Sequence, residues 1–247
     1  MGSLKFGAEQ AVRKCLRVRD GEPVVLITDL ESIEIGDALL SVVRETTRQV
    51  SRFILEDFGP RPIDGENPLA FPAVIGEALA QASVSIYAAS GKRGELKSFR
   101  SPMLKAIEAN KALRHAHMIN ITREVMETGM SADYEVIQQL SAKVYEIVKS
   151  ARSAHVTSPR GTDLHIELNP DWKWIVSDGR ITPVQWKNLP DGEVFTCAQS
   201  ARGRAVIDGC LGDHFSSLGT CETFPVTLEI EDGTITGQTT AENPTKG

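Results

Sequence analysis

The sequence predicts an α/β fold, in which a domain with a parallel sheet is followed by a β-rich module. Over residues 1–152, short apolar segments rich in β-branched residues alternate with amphipathic helical segments. This alternation is typical of a parallel sheet that helices cover on both faces. Over residues 153–247, short strand-like segments follow one another through turn residues, and no helical segment of convincing length appears. We therefore expect two domains that meet near residue 152.

The parallel sheet is predicted to begin with a buried strand over residues 23–29, just after an Asp-Gly turn. Ser32 can then cap a helix whose apolar residues, such as Ile35 and Leu39, share one face. The remaining strands are expected over residues 50–55, 84–88 and 117–121, and the remaining helices over residues 71–81, 102–113, 123–128 and 134–150.

The β-rich module is predicted from short alternating segments and from two Asp-Gly turns. A strand over residues 164–168 places Leu164 and Ile166 on its buried face and His165 and Glu167 on its solvent face. Asp-Gly pairs are common in two-residue hairpin loops. They are expected to join residues 172–176 to 181–186 and residues 226–230 to 234–236, and a further strand is expected over residues 154–157.

Composition excludes several classes of protein. The 247 residues are 41% hydrophobic and carry 27 Lys and Arg against 33 Asp and Glu, a net charge of -6 without a basic stripe. Nucleic acid is therefore not an expected partner. The longest apolar runs are far shorter than the roughly 20 residues that span a membrane. Residues 1–14 lack a signal-peptide core, and the cysteines have no CxxC spacing. We therefore expect a cytoplasmic protein that does not bind membranes.

Polar residues at the ends of the predicted parallel strands are the first candidates for chemistry. Three such residues, Asp29, Asp57 and Ser90, lie at or just beyond the strand ends, where open α/β sheets bind ligands. Polar residues in these positions more often cap helices or lie in solvated loops, so that interpretation is favoured. His115 and His117 share one face of a strand, which favours a polar pair at the strand start over a metal pair.

The most informative segment covers residues 188–195, Asn-Leu-Pro-Asp-Gly-Glu-Val-Phe. Its Pro-Asp-Gly turn places Glu193 at the start of an apolar strand. A carboxylate in that position is suited to bind a metal or to act as a base, and the alternative is a solvated glutamate beside a turn.

This segment resembles the signature of the thermophilic aminopeptidases, the aminopeptidase T and aminopeptidase S metallopeptidases. Residues 161–164, Gly-Thr-Asp-Leu, and residues 205–209, Ala-Val-Ile-Asp-Gly, resemble other segments of that family in the same order. The resemblance implies a metal-dependent aminopeptidase that removes N-terminal residues from peptides. It also implies Glu193 as a metal ligand, zinc, cobalt or manganese as the metal, and a homodimer.

The chain departs from that family after the predicted hairpin of residues 226–236. Family members continue into a region with the remaining metal ligands, including a His-x-Asp pair, and none of these can be placed here. After Glu193 the chain has one histidine, His214. Two alternatives therefore stay open beside the aminopeptidase. One is a non-catalytic relative that binds peptides or a protein partner. The other is a related ring-cleaving dioxygenase of dihydroxypyridine, which uses mononuclear iron held by His and Asp.

A pair of tryptophans bears on the expected homodimer. Trp172, Trp174 and Val176 share one side of a predicted strand. Such a stripe is too large to leave in water, so we expect it in the core or, failing that, in an interface.

Overall fold

The computed structural model describes residues 2–183, 186–212, 215 and 219–240. The chain forms two compact units, the first comprising Met1–Ala142 and Val176–Glu193 and the second Lys143–Ile175 and Val194–Gly247. The predicted α/β class is confirmed, because a parallel sheet is followed by an antiparallel one. The domain boundary near residue 152 stays a prediction. His214 and residues 184 and 185 of one predicted strand lie outside the described residues.

The secondary-structure elements follow the predicted order closely. The α-helices are α1 Leu4–Glu9, α2 Ile33–Thr46, α3 Ala73–Gln81, α4 Ser101–Ala109, α5 Arg123–Glu127 and α6 Tyr134–Val148. The strands are β1 Val24–Thr28, β2 Val50–Ile54, β3 Val84–Ala89, β4 Arg114–Ile119, β5 Ser153–Thr157, β6 Asp163–Glu167, β7 Ile175–Ser177, β8 Lys187–Asn188, β9 Glu193–Phe195, β10 Ser200–Ile207, β11 Val226–Glu231 and β12 Thr234–Thr240. Short π-helical segments cover Gln10–Cys15 and Leu96–Arg100, and 3₁₀ turns cover Leu55–Phe58 and Gly129–Ser131.

The first unit is built around a parallel sheet with the strand order β2-β1-β3-β4-β8. Strand β1 is buried along its whole length because its alternate residues enter two separate hydrophobic cores. Val24 and Leu26 belong to the core that includes α1 and α2, whereas Val25 and Ile27 belong to the core that includes α3 and α4. This explains the unbroken apolar run in the sequence.

The N-terminal helix was not predicted from the sequence. Ser3 caps it, since the Ser3 side chain accepts a hydrogen bond from the Phe6 backbone N–H. The helix continues as the π-helical segment to Cys15, and Ala8, Ala11 and Val12 along it are fully buried. Charged residues interrupt the apolar positions of this segment, so its sequence does not show a clear helical periodicity.

The second unit contains an antiparallel sheet with the strand order β12-β11-β10-β6-β5. The predicted hairpin between β11 and β12 is confirmed, and both turn residues have positive φ, 47° at Asp232 and 74° at Gly233. Strand β6 is also as expected, with Leu164 half-buried and His165 exposed. The sheet therefore has one polar face that is open to solvent.

The predicted hairpin at Asp178-Gly179 is wrong. Strand β7 pairs with β9, and the next strand, β8, joins the parallel sheet beside β4. The turn is instead bound to a later segment, because the Gly179 N–H donates to a carboxylate oxygen of Asp191 at 2.8 Å. Trp172, which was expected in the core, is 42% exposed.

No helix among the described residues is long and apolar enough to cross a membrane. The cytoplasmic location stays a prediction.

Candidate functional site

A buried ion network lies at the carboxyl end of β1. Asp29 is fully buried, and one of its oxygens accepts hydrogen bonds from Arg61 and from the Ser90 N–H, both at 2.7 Å. The other oxygen accepts from the Ser32 N–H at 2.8 Å. Arg61 also donates two hydrogen bonds to Glu95, at 2.7 and 2.8 Å. Two more reach Glu56 and the Ser90 carbonyl.

This network is closed to a ligand. All five N–H donors of the Arg61 guanidinium have acceptors, and the side chains of Asp29, Arg61 and Glu95 are at most 1% exposed. Burial by itself would raise the pKa of the Asp29 carboxyl, but the hydrogen bonds from Arg61, Ser90 and Ser32 outweigh it and hold that pKa below its ordinary value. Asp29 therefore has the structural role that we expected of residues at this edge.

The loop after β3 does not form a phosphate cradle. The Ser90 N–H binds Asp29, and the Gly91 N–H donates to the Asn120 side chain at 2.7 Å. Lys92 forms an ion pair with Glu31. Because these donors already have partners, the loop offers little to a nucleotide.

The histidines of β4 lie side by side in the interior. Nδ1 of His115 is 2.7 Å from the Ser85 hydroxyl, and its Nε2 is 3.3 Å from Nδ1 of His117. The His117 ring stacks on Tyr87 with ring centroids 4.9 Å apart. Burial lowers the pKa of His117 to about 4 and that of His115 well below 6.5. Both rings are therefore neutral at pH 7 and serve as packed, hydrogen-bonded core residues.

A cluster of potential metal ligands lies on the polar face of the antiparallel sheet. His155 of β5 and His165 of β6 are direct cross-strand partners, and their rings stack with centroids 4.0 Å apart. The carboxylate of Asp163 is 2.7 Å from Nε2 of His155 and 3.7 Å from Nε2 of His165. Among the described residues this is the single group of three metal-ligating side chains. The sequence reasoning did not identify it.

The cluster is open to solvent. The side chains of His155, Asp163 and His165 are 51%, 63% and 54% exposed. A depression of about 280 Å³ adjoins the two histidines, and Glu167, Ser200 and Arg202 also line it. Hydrogen bonding from His155 lowers the pKa of the Asp163 carboxyl, so Asp163 is ionised at neutral pH.

Glu193, the metal ligand predicted from the sequence, is the first residue of β9. Its side chain is exposed, and no ion pair or hydrogen bond engages it within the described part of the chain. The residues before it are anchored. Leu189 is 4% exposed, and the Asp191 carboxylate accepts hydrogen bonds from the Ser177 hydroxyl and the Gly179 N–H. As far as the structure describes the chain, the Glu193 carboxylate is therefore without a bonding partner and follows a tightly held turn.

Two solved structures share this architecture. A structure of 2,5-dihydroxypyridine dioxygenase from Pseudomonas putida KT2440 matches with a TM-score of 0.65 and 20% identity, over 97% of this chain and 68% of that one. AmpT from Thermus thermophilus matches with a TM-score of 0.60 and 18% identity, over 97% of this chain and 71% of that one. At these identities the matches show the fold, which both relatives share.

The sequence distinguishes between these relatives. The family model NicX, 2,5-dihydroxypyridine 5,6-dioxygenase, matches residues 9–242. The chain belongs to this family. A curated 2,5-dihydroxypyridine 5,6-dioxygenase from Pseudomonas putida is 36% identical over 94 residues, which are 37% of this chain and 26% of that protein. The matched segment is thus about a quarter of that relative's length.

The assignment to the aminopeptidase family is therefore wrong, and with it the aminopeptidase and metallopeptidase function. The physical reason lies in residues 188–195, the segment on which the aminopeptidase resemblance was based. Leu189 packs in the core and Asp191 holds the Asp178-Gly179 turn, so much of the segment serves the fold. Two families with one fold can share such a segment while their chemistry differs.

Proposed function

We propose that the protein is a ring-cleaving dioxygenase that opens a dihydroxylated pyridine ring with dioxygen. The observation that carries this proposal is the family match over residues 9–242. The name of the curated relative supplies the substrate class, a pyridine ring with two hydroxyl groups. The dioxygenase was one of the alternatives that the sequence left open.

Family membership supports a metal cofactor, and we propose iron rather than zinc, cobalt or manganese. A mononuclear iron oxygenase uses imidazole and carboxylate ligands with open positions for its reactants. His155, Asp163 and His165 supply those donor types. Their surroundings do not fit a ring-cleaving centre, because such a site encloses its substrate and excludes water, whereas these side chains lie on an open sheet face. We therefore assign no step of ring opening to this cluster.

Glu193 is the residue that we propose as a metal ligand. Its support is that the carboxylate is exposed, follows an anchored turn and forms no hydrogen bond or ion pair with the residues that the structure describes. In Glu193→Gln the size is kept and the charge is lost, so iron binding is expected to weaken at least tenfold with unchanged circular dichroism. Asp171→Asn is a matched control, because it removes an exposed carboxylate elsewhere in the chain. Equal iron affinity in the wild type and in Glu193→Gln would show that Glu193 is not a ligand.

The proposed activity is tested with the longest natural form of the polypeptide. The purified protein is supplied with ferrous iron and 2,5-dihydroxypyridine in aerated buffer, and the absorbance of the aromatic ring and the dioxygen concentration are followed together. We expect the pyridine and dioxygen to be consumed in equal molar amounts. An amino-acid amide supplied as a peptidase substrate should stay intact. A folded, iron-loaded protein that binds the pyridine without consuming dioxygen would refute the enzymatic proposal.

A further inference from the structure

We propose that His155, Asp163 and His165 form a binding site for one divalent transition-metal ion on the polar face of the antiparallel sheet. The site does not depend on the proposed function, because it rests on the positions of these side chains alone. It would join the edge strand β5 to its neighbour β6.

The pairing of β5 with β6 brings the ligands together. His155 lies directly opposite His165, and Asp163 precedes His165 by two residues, so all three side chains project from the same face. Directly opposed residues in antiparallel strands have Cβ atoms about 5 Å apart. Two histidines at such a distance can reach a common ion, and the carboxylate completes a set of three.

The distances are close to those of a formed metal site. Bonds of about 2.0–2.1 Å to one ion place neighbouring ligand atoms about 3 Å apart. Here the carboxylate oxygen of Asp163 is 2.7 and 3.7 Å from the two Nε2 atoms, and the ligand atoms of all three residues lie within 4.8 Å of one another. The ion would replace the proton that His155 and Asp163 share in their hydrogen bond.

One rearrangement is required. The imidazole rings are stacked, with an interplanar angle of 8° and centroids 4.0 Å apart, so the lone pairs of their nitrogen atoms lie in separate, nearly parallel planes. To face one ion, the rings must rotate out of the stack. Both side chains are more than half exposed and can rotate at little cost. Metal binding therefore separates the two rings, which is a structural consequence that can be measured.

The donor set selects the class of ion. Imidazole nitrogens favour zinc, copper, nickel and iron, whereas magnesium and calcium prefer oxygen ligands. With three protein ligands and open solvent on the other side, water would fill the remaining positions. The ion expected at this site is thus a borderline transition-metal ion, and zinc is a suitable probe.

Zinc titration by isothermal calorimetry tests the proposal. The protein carries Cys197→Ser and Cys210→Ser, which remove two exposed thiols that could themselves bind zinc. We expect one zinc ion per chain, with affinity at least tenfold lower in His155→Ala, His165→Ala and Asp163→Asn. Asp171→Asn is the matched control, since Asp171 is an exposed carboxylate outside this cluster, and it should change the affinity less than twofold.

Two further measurements separate ligation from a folding effect. The thermal midpoint should rise with zinc in the parent and in Asp171→Asn but not in the three ligand variants, all of which should unfold cooperatively without zinc. In ¹H–¹⁵N spectra of the imidazoles, zinc should shift the His155 and His165 signals and leave His115 unchanged. The proposal is overturned if zinc does not bind, or if His155→Ala/His165→Ala binds it as tightly as the parent.

Discussion

Replacement of Arg61 by methionine should destabilise the protein more than loss of any surface ion pair. The substitution keeps a long apolar side chain but leaves Asp29 and Glu95 buried without a counter-charge, at 0% and 1% side-chain exposure. Removing one partner of a buried ion pair costs about 3–5 kcal/mol. At about 1.4 kcal/mol per factor of ten, the ratio of folded to unfolded protein should therefore fall by at least about a hundredfold, a large part of the roughly 5–15 kcal/mol by which small domains are stable.

The free energy of unfolding is measured by urea denaturation at about pH 7.5, with Arg123→Met as the control. Arg123 forms two ion pairs, to Glu34 and Glu127, but its side chain is 51% exposed, so its loss should cost about 0–1 kcal/mol. Arg61→Lys keeps the positive charge but not the five N–H donors, so its free energy of unfolding should lie between those of the wild type and Arg61→Met.

The pH dependence distinguishes lost charge pairing from lost packing. In the wild type the pKa of Asp29 is held below its ordinary value, so the stability from this carboxyl is present above the unfolded-state pKa and is lost as the pH falls through the folded-state pKa. In Arg61→Met, the effect of burial on Asp29 is no longer offset by Arg61, so the pKa of Asp29 rises. Asp29 is then protonated at a higher pH in the variant than in the wild type, and protonation removes its unpaired buried charge. The difference between the two proteins should therefore shrink from about pH 7.5 to about pH 5. An equal difference at both pH values would refute the electrostatic account.

The other predictions concern the core histidines, one glycine and the assembly. Because burial lowers the pKa of His117 to about 4 from an ordinary 6.5, this group should make the free energy of unfolding fall as the pH drops from 6.5 towards 4, and His117→Gln should flatten that fall. Gly203→Ala should cost more than about 1 kcal/mol, since φ is +116° and a Cβ would lie 2.3 Å from the Asp163 carbonyl, whereas Gly209→Ala should be nearly neutral in the same unfolding assay. We still expect a homodimer, and light scattering that gives the mass of one 26.9 kDa chain at micromolar concentration would contradict this.

Local patterns in the sequence predict most of the fold. Strand β1 was predicted because both of its faces enter cores, and the hairpin of β11 and β12 because Asp232 and Gly233 tolerate positive φ. Strand β8 could not be predicted in this way. It has two residues, and it exists only through pairing with β4, a segment some 70 residues earlier. Non-local pairing of so short a segment produces no periodic signal.

The candidate site shows a different limit. Both strands that carry His155 and His165 were predicted, and pairing them across the Pro159-Arg160-Gly161 loop would have placed the two histidines opposite each other. The signal was therefore present, but it required a register that neither strand specifies alone. The buried Arg61 network draws its members from separate loops, so no spacing in the sequence indicates it.

The aminopeptidase interpretation failed because sequence resemblance does not separate residues that build a scaffold from residues that react. In the segment of residues 188–195, Leu189 packs in the core and Asp191 holds a distant turn, so selection for the fold alone could preserve them. Glu193 is the carboxylate of this segment whose side chain forms no hydrogen bond or ion pair within the described residues, so it could serve the chemistry instead of the fold. One carboxylate is compatible with a two-metal peptidase and with a single-iron oxygenase. The family match over residues 9–242 overturns the peptidase assignment because it draws on most of the chain rather than on one motif.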